Sequence, residues 1–203
     1  MKPGSGATKN NDLEIAWLGH SCFRITLGEI NIYLDPIKRN HLLGTLLMPG
    51  KENKASAILV SHEHWDHYNA ETIVELCVSE TKIYCPMSVA SALSLAMSFE
   101  AKDLNELRKR AEKISLTKSG DIIKIGKMQI KSLEASEGLS YLLTHNRKKV
   151  LFMGDSTATR EMVEERPNVI LFPTWAVKGE EARLDEFLEL ASDALCIPMH
   201  YHT

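Results

Sequence analysis

The sequence holds eight histidines, and three of them fall within six residues, in His62-Glu63-His64-Trp65-Asp66-His67. With histidine and aspartate each at ~4% of the chain, an H-x-H-x-D-H pattern arises by chance in about one chain of this length in two thousand. The spacing has a chemical meaning. In extended backbone leaving a strand, His62 and His64 point the same way, as alternate residues do. Asp66 and His67 lie past a bend and address a second position a few ångströms on. Imidazole suits Zn2+, Fe and Mn, and a carboxylate adds charge and oxygen ligation. Two cations about 3.5–4 Å apart could share these groups, given a further carboxylate between them. The competing reading is a solvated polar loop with no metal.

The elements around the motif are those of an α/β chain. Glu14–Leu18, Cys22–Leu27 and Ile30–Leu34 read as a β-meander, punctuated by Gly19-His20 and Gly28-Glu29 and stopped by Asp35-Pro36. A long connection over 37–53 carries Gly44, Pro49 and Gly50, and such loops often sit over sites. Ala57–Ser61 is a continuous apolar run, as expected of a strand covered on both faces, and it ends at the histidine motif. Helices are expected over Ala70–Val78, Met87–Met97, Leu104–Ala111, Thr159–Glu165 and Glu180–Leu190, and further strands over Lys82–Cys85, Val169–Phe172 and Ala194–Ile197. Two hairpins are expected, Asp121–Ile125 with Met128–Leu133, and Leu139–Leu143 with Val150–Met153. Each half of the chain thus runs from a meander into βα units, which fits two sheets with helices outside them.

Read in this context, the motif resembles that of the metallo-β-lactamase superfamily. Trp17-Leu18-Gly19-His20-Ser21-Cys22-Phe23 is similar to the opening strand-turn of its lactonase-like and phosphodiesterase-like branch, and Leu34-Asp35-Pro36 to the strand end that follows. Phe152-Met153-Gly154-Asp155-Ser156 resembles the segment supplying a bridging carboxylate. Pro198-Met199-His200-Tyr201 resembles the close of the branch related to ascorbate-6-phosphate lactonase. The resemblance implies a four-layer αββα sandwich with metals at one edge of the sheets. It assigns His62 and His64 to a first metal, Asp66, His67 and His200 to a second, and Asp155 to both. It implies one or two zinc ions, with Mn or Fe as alternatives, and catalytic parts for Asp66 and His20. The substrate it implies is a small anionic ester, lactone or phosphodiester.

One departure stands out. Relatives of this kind carry a further histidine before the bridging aspartate, and Ser132-Leu133-Glu134-Ala135-Ser136-Glu137-Gly138-Leu139-Ser140-Tyr141 has none. Three readings stay open. Glu134 supplies an oxygen ligand and shifts preference toward Mn or Fe. Water takes the place, leaving one firmly held metal at Asp66, His67, Asp155 and His200. Or the site is degenerate and the fold serves only for binding. Ser136 and Glu137 read as turn residues and weaker substitutes. Arg39 and His41 are candidates for contacting an anionic substrate, Trp175 for lining the pocket, and His202 reads as exposed.

Composition bounds the rest. Hydrophobic residues make up 44% and charged residues 25%, ordinary for a globular domain. Lys plus Arg is 24 against 27 for Asp plus Glu, so no basic excess exists to meet a nucleic-acid backbone. No apolar run approaches the roughly 20 residues of a membrane span. Residues 1–12 read as a mobile polar tail without the apolar core of a secretory signal, and 13–203 as one domain. The four cysteines form no C-x-x-C pair and read as reduced thiols of a cytoplasmic protein, with self-association possible.

Overall fold

The computed structural model describes residues 12–37, 39–40, 44–45, 54–99, 113–177 and 181–200; side chains at 39–40, 44–45, 96–99 and 181–183 are outside the description. The expected tail (save Asp12), the expected helix Leu104–Ala111, His41, His202 and the Arg39 side chain lie outside the described residues.

The first sheet begins with β1 (Leu13–Gly19), β2 (Cys22–Leu27) and β3 (Ile30–Leu34), paired antiparallel. A two-stranded ribbon, β4 (Arg39–Asn40) with β5 (Gly44–Thr45), lies in the connection that follows. Then β6 (Ala57–Leu59), β7 (Lys82–Cys85) and β8 (Ile114–Leu116) extend β3 in parallel, in the order β1-β2-β3-β6-β7-β8. Helices α1 (Ala70–Leu76) and α2 (Met87–Phe99) connect the parallel strands. Asn69 caps α1: its side-chain oxygen accepts from the Thr72 backbone at 2.8 Å.

The second sheet repeats the plan. Its meander is β9 (Ile122–Ile125), β10 (Met128–Glu134), β11 (Leu139–His145) and β12 (Lys148–Phe152). Parallel strands β13 (Val169–Pro173) and β14 (Leu195–Met199) follow, in the order β14-β13-β12-β11-β10-β9. They are reached through α3 (Arg160–Glu165) and α4 (Glu181–Ala191). Asn146 and Arg147 both take positive φ, 46° and 66°, between β11 and β12, the geometry of a two-residue turn whose twist matches its strands.

Three apolar layers hold the stack together. Phe23, Ile25, Leu34 and Leu59 of the first sheet meet Ile130, Tyr141, Leu143 and Phe152 of the second in a central core. Tyr33, Ile58 and Ile83 pack outward with Ile73, Leu76, Val89 and Leu93 of the first helix pair. Leu142, Leu151 and Ile170 pack outward with Met162, Val163, Phe187 and Leu190 of the second. The architecture is the αββα sandwich expected from the sequence. The last strand differs: it runs on through Pro198 to Met199. β14 is an edge strand, where a residue without an N–H costs the ladder nothing on its open side.

This topology decides where chemistry can sit. The parallel strands β3, β6, β12 and β14 end in Asp35, the histidine motif, Asp155 and His200. Antiparallel pairing brings the β1–β2 turn (His20) to the same rim, and likewise the β10–β11 turn (135–138). Ligand sites of open α/β sheets lie beyond such carboxyl ends.

Candidate metal centre

After β6 the backbone stays extended through Ser61 and His62, then folds sharply: His67 and Tyr68 N–H both donate to the His64 carbonyl at 2.9 Å. His62 lies between the two halves of the motif, ring centroids 4.6 Å from His64 and 4.3 Å from His67. Three donor groups result among the described residues, the smallest being Asp35, His62 and His67. His20, Asp66, His67 and His200 offer ligand atoms within 4.8 Å of one another, and so do His62, His64, Glu137 and Asp155. Asp155 stands between them: its Oδ1 lies 3.1 Å from His67 Nε2 and 3.5 Å from His200 Nε2, and its Oδ2 3.9 Å from His62 Nε2.

Asp66 Oδ2 is the pivot of the first of these groups, 3.1 Å from both His20 Nε2 and His200 Nε2. Burial pushes the Asp66 carboxyl up, but the hydrogen bonds from His20 and His200 prevail and hold it well below the usual carboxylate range. The His20 carbonyl accepts from the Trp17 indole at 2.9 Å and from the His200 backbone N–H at 3.5 Å, fastening β14 to the β1–β2 turn. Thr174 Oγ1 donates to the His200 carbonyl at 3.0 Å; Trp175 beside it is half-buried.

Under His67 lies Asp35, fully buried. Its Oδ2 accepts from His67 Nδ1 and from Ser61 Oγ, each at 2.6 Å, and its Oδ1 from the Ser61 backbone at 2.7 Å. Taking the Nδ1 proton leaves His67 Nε2 facing the site. Burial pulls the His67 pKa down, yet hydrogen bonds to Asp155 and Asp35 outweigh it and raise it to about 10. His62, by contrast, is lowered, by burial first and then by the charge of His67.

Glu134, expected as an oxygen ligand, lies apart from the donor groups. That residue is exposed at the end of β10 and lines a cleft with Ser136, Thr157, Glu161 and Glu186. The carboxylate beside the two histidines belongs to Glu137: Oε2 lies 3.1 Å from His64 Nδ1 and 3.8 Å from His62 Nε2. Gly138 explains the difference. It has φ +66°, its β-carbon would strike the Ser61 carbonyl oxygen, and Leu139 N–H donates to that oxygen at 3.0 Å. The β10–β11 turn therefore presses against the strand that carries His62, and the residue before the glycine is delivered to the site.

Backbone strain gathers here too. Of the six non-glycine residues with positive φ among the described residues, His20 (48°), Asp35 (44°) and His200 (63°) belong to the site, and the others to a hairpin turn and a helix end. Such conformations cost of order 1 kcal/mol each and persist where function holds them.

A cation fits these groups. His62 Nε2 is buried and has no hydrogen-bond partner, although two carboxylates face it at 3.8 and 3.9 Å. Those gaps are too long for hydrogen bonds. Donors that each lie about 2.1 Å from a shared ion are at most about 4.2 Å apart, so both gaps can be spanned by one.

The chain matches the beta-lactamase superfamily domain model over residues 14–200 and belongs to that family. It is similar to a UPF0173 metal-dependent hydrolase of Thermoplasma volcanium, 25% identical over 211 residues that cover 95% of this chain and 85% of the relative. Among solved structures it superposes on Igni18, a metallo hydrolase of Ignicoccus hospitalis, with TM-score 0.64, 17% identity and coverage of 94% and 83%. CmlA, a diiron β-hydroxylase of Streptomyces venezuelae, gives TM-score 0.55 at 14% identity, over 93% of this chain and 41% of CmlA. One fold thus carries hydrolytic and oxidative chemistry, so the donors must distinguish them. No helix among the described residues is long and apolar enough to cross a membrane.

Proposed function

We propose that this chain is a metal-dependent hydrolase of a small anionic ester, a lactone or a phosphodiester, as its likeness to the lactonase-like branch implies. One observation carries the reading: two donor groups meet at Asp155 on the rim where the parallel strands end, and the buried His62 Nε2 faces them unpartnered. Asp66, His67, His200 and Asp155 hold one cation, zinc by the family's habit; His62, His64 and Asp155 contribute to a second. A bound ion of this kind acidifies water and polarises a carbonyl or phosphoryl oxygen.

The side chains do the rest. Asp35 keeps His67 in the tautomer whose Nε2 ligates. Asp66, anchored by His20, is the acceptor that aligns the attacking water. His20 Nε2, 3.1 Å from Asp66, carries the proton delivered to the leaving group. No disulfide links the four cysteines, which supports a reducing compartment such as the cytoplasm.

The test compares wild type with His64→Ala on a chromogenic phosphodiester and a small lactone, with Zn2+ or Mn2+ added, and measures metal content of His200→Ala. Turnover by wild type above the His64→Ala background and loss of most metal from His200→Ala are expected. Equal rates on every substrate defeat the hydrolase reading.

A further inference from the structure

We infer that Glu137 is a metal ligand, completes the His62 position with a second carboxylate, and makes that position favour Mn(II) or Fe(II) relative to Zn(II). The inference rests on the proposal that the rim binds cations, and adds which residue finishes the donor set and which class of ion it suits.

Geometry assigns the residue. A third imidazole, His67, lies 4.3 Å from His62 ring to ring, but its Nδ1 is held by Asp35 and its Nε2 lies 3.1 Å from Asp155. His20, His67 and His200 form the neighbouring group, and His145 sits at the far end of β11, near the Lys127 carbonyl at 3.3 Å. Glu134 is exposed and in none of the groups. Glu137 alone brings an oxygen to both rings, 3.1 Å from His64 Nδ1 and 3.8 Å from His62 Nε2. The unpartnered Nε2 of His62, a residue only 2% exposed, points into the same space. The arrangement is built: Gly138 cannot take a β-carbon without striking Ser61, so the turn that carries Glu137 is seated on the backbone of the histidine strand.

Chemistry assigns the preference. The donors are two imidazoles and two carboxylates, and the carboxylates cancel the charge of a divalent ion. Oxygen-rich sets suit Mn, and two histidines with carboxylate and open positions suit Fe(II); replacing the oxygen with a third imidazole moves a site toward zinc. All N/O sites bind Zn(II) more tightly than Mn(II) in absolute terms, so the prediction concerns the ratio.

The experiment uses the full chain, stripped of metal and titrated with MnCl2 and with ZnCl2 separately. Equivalents bound are read by elemental analysis and Mn(II) environment by electron paramagnetic resonance. The variants are Glu137→Ala, Glu137→His and, as a control, Glu134→Ala. Half of the Glu137 side chain is solvent-exposed, so these variants should fold, and a thermal melt checks that they do. Wild type and Glu134→Ala are expected to bind two Mn(II) with a spin-coupled signal. Glu137→Ala should bind one, with an uncoupled signal. Glu137→His should regain the second equivalent for Zn(II) and raise the Zn:Mn affinity ratio at least about tenfold. If Glu137→Ala keeps two equivalents, or Glu137→His leaves the ratio unchanged, the inference is overturned while cation binding at the rim survives. If wild type binds no metal, the functional proposal fails with it.

Discussion

Replacing Asp35 with asparagine tests the support beneath the site without touching a residue proposed to ligate. The carboxylate is fully buried and accepts three hydrogen bonds, two of them on Oδ2 from His67 Nδ1 and Ser61 Oγ, each at 2.6 Å. An asparagine oxygen can stay opposite the Ser61 backbone N–H, but its amide then sets a donor against His67 Nδ1 and requires the Ser61 hydroxyl to turn and accept. Hydrogen bonds to a charged group contribute about 1.5–3 kcal/mol each, and losing one partner of a buried pair costs about 3–5 kcal/mol. For a chain of this size each kcal/mol moves the melting temperature by about 2–4 °C, so a drop on the order of 10 °C is expected. His67 can relieve the clash by moving its proton to Nε2. That removes it as a ligand, and metal affinity should fall about 10–100-fold. Melting of the metal-free protein and titration with Zn2+ measure the two effects separately. An Asp35→Asn protein that melts within about 2 °C of wild type and binds metal equally well would refute the role given to Asp35.

Two further outcomes follow from the same geometry. The metal-free protein should lose stability as pH rises from about 6.5 to 8.5: His67 is raised to about 10, so its contribution is complete below its unfolded pKa and fades as pH climbs toward the folded one. Asp66 is lowered and acts only in acid, and the thiols of Cys22 and Cys85, pushed up by burial to about 12, add a fall of the same sign only above about pH 8.5; melts of His67→Gln should therefore be flatter in the window, and a slope equal to wild type would refute the assignment. Gly138→Ala should cost at least about 2 kcal/mol, through its positive φ and the collision with Ser61, and should lose the metal position that Glu137 serves; a variant with unchanged melting and metal content would show that the turn does not seat that residue.

Much of the fold was legible because its signals are local. Alternating strands, two-residue turns at Gly28 and Gly126, and apolar runs such as Ala57–Ser61 mark the elements without knowledge of their neighbours. His62, His64, Asp66 and His67 were legible because one turn of chain holds them. Asp155 and His200 needed the family resemblance, since nothing in a lone Gly-Asp or Pro-Met-His says that it meets a distant loop. Glu134 is a case of another kind. It and Glu137 are the same residue type three positions apart, and the choice between them depends on contact between the sheets. The available signal was the glycine: Glu137-Gly138 opens β11 as Gly154-Asp155 follows β12, and both glycines have positive φ and pack against Ser61.

Asp35 was hidden for a related reason. Asp-Pro at a strand end reads as a stop, and its carboxylate acquires a purpose only when β3 and β6 pair and set Ser61 and His67 against it. The same pairing bears on how the acid of this rim is balanced in metal-free protein. Asp35, Asp66 and Asp155 are buried together, and a buried carboxylate needs a positive partner. In metal-free protein the raised pKa of His67 keeps a proton between Asp35 and Asp155, and the imidazolium balances part of their charge. An incoming metal must displace that proton to reach Nε2. Metal affinity should therefore rise with pH over the interval in which the metal-free fold weakens, and calorimetry in buffers of different ionisation enthalpy should register about one proton released at pH 7.5. Release of none would mean that His67 is already neutral, and that the carboxylates around it are balanced by some other group.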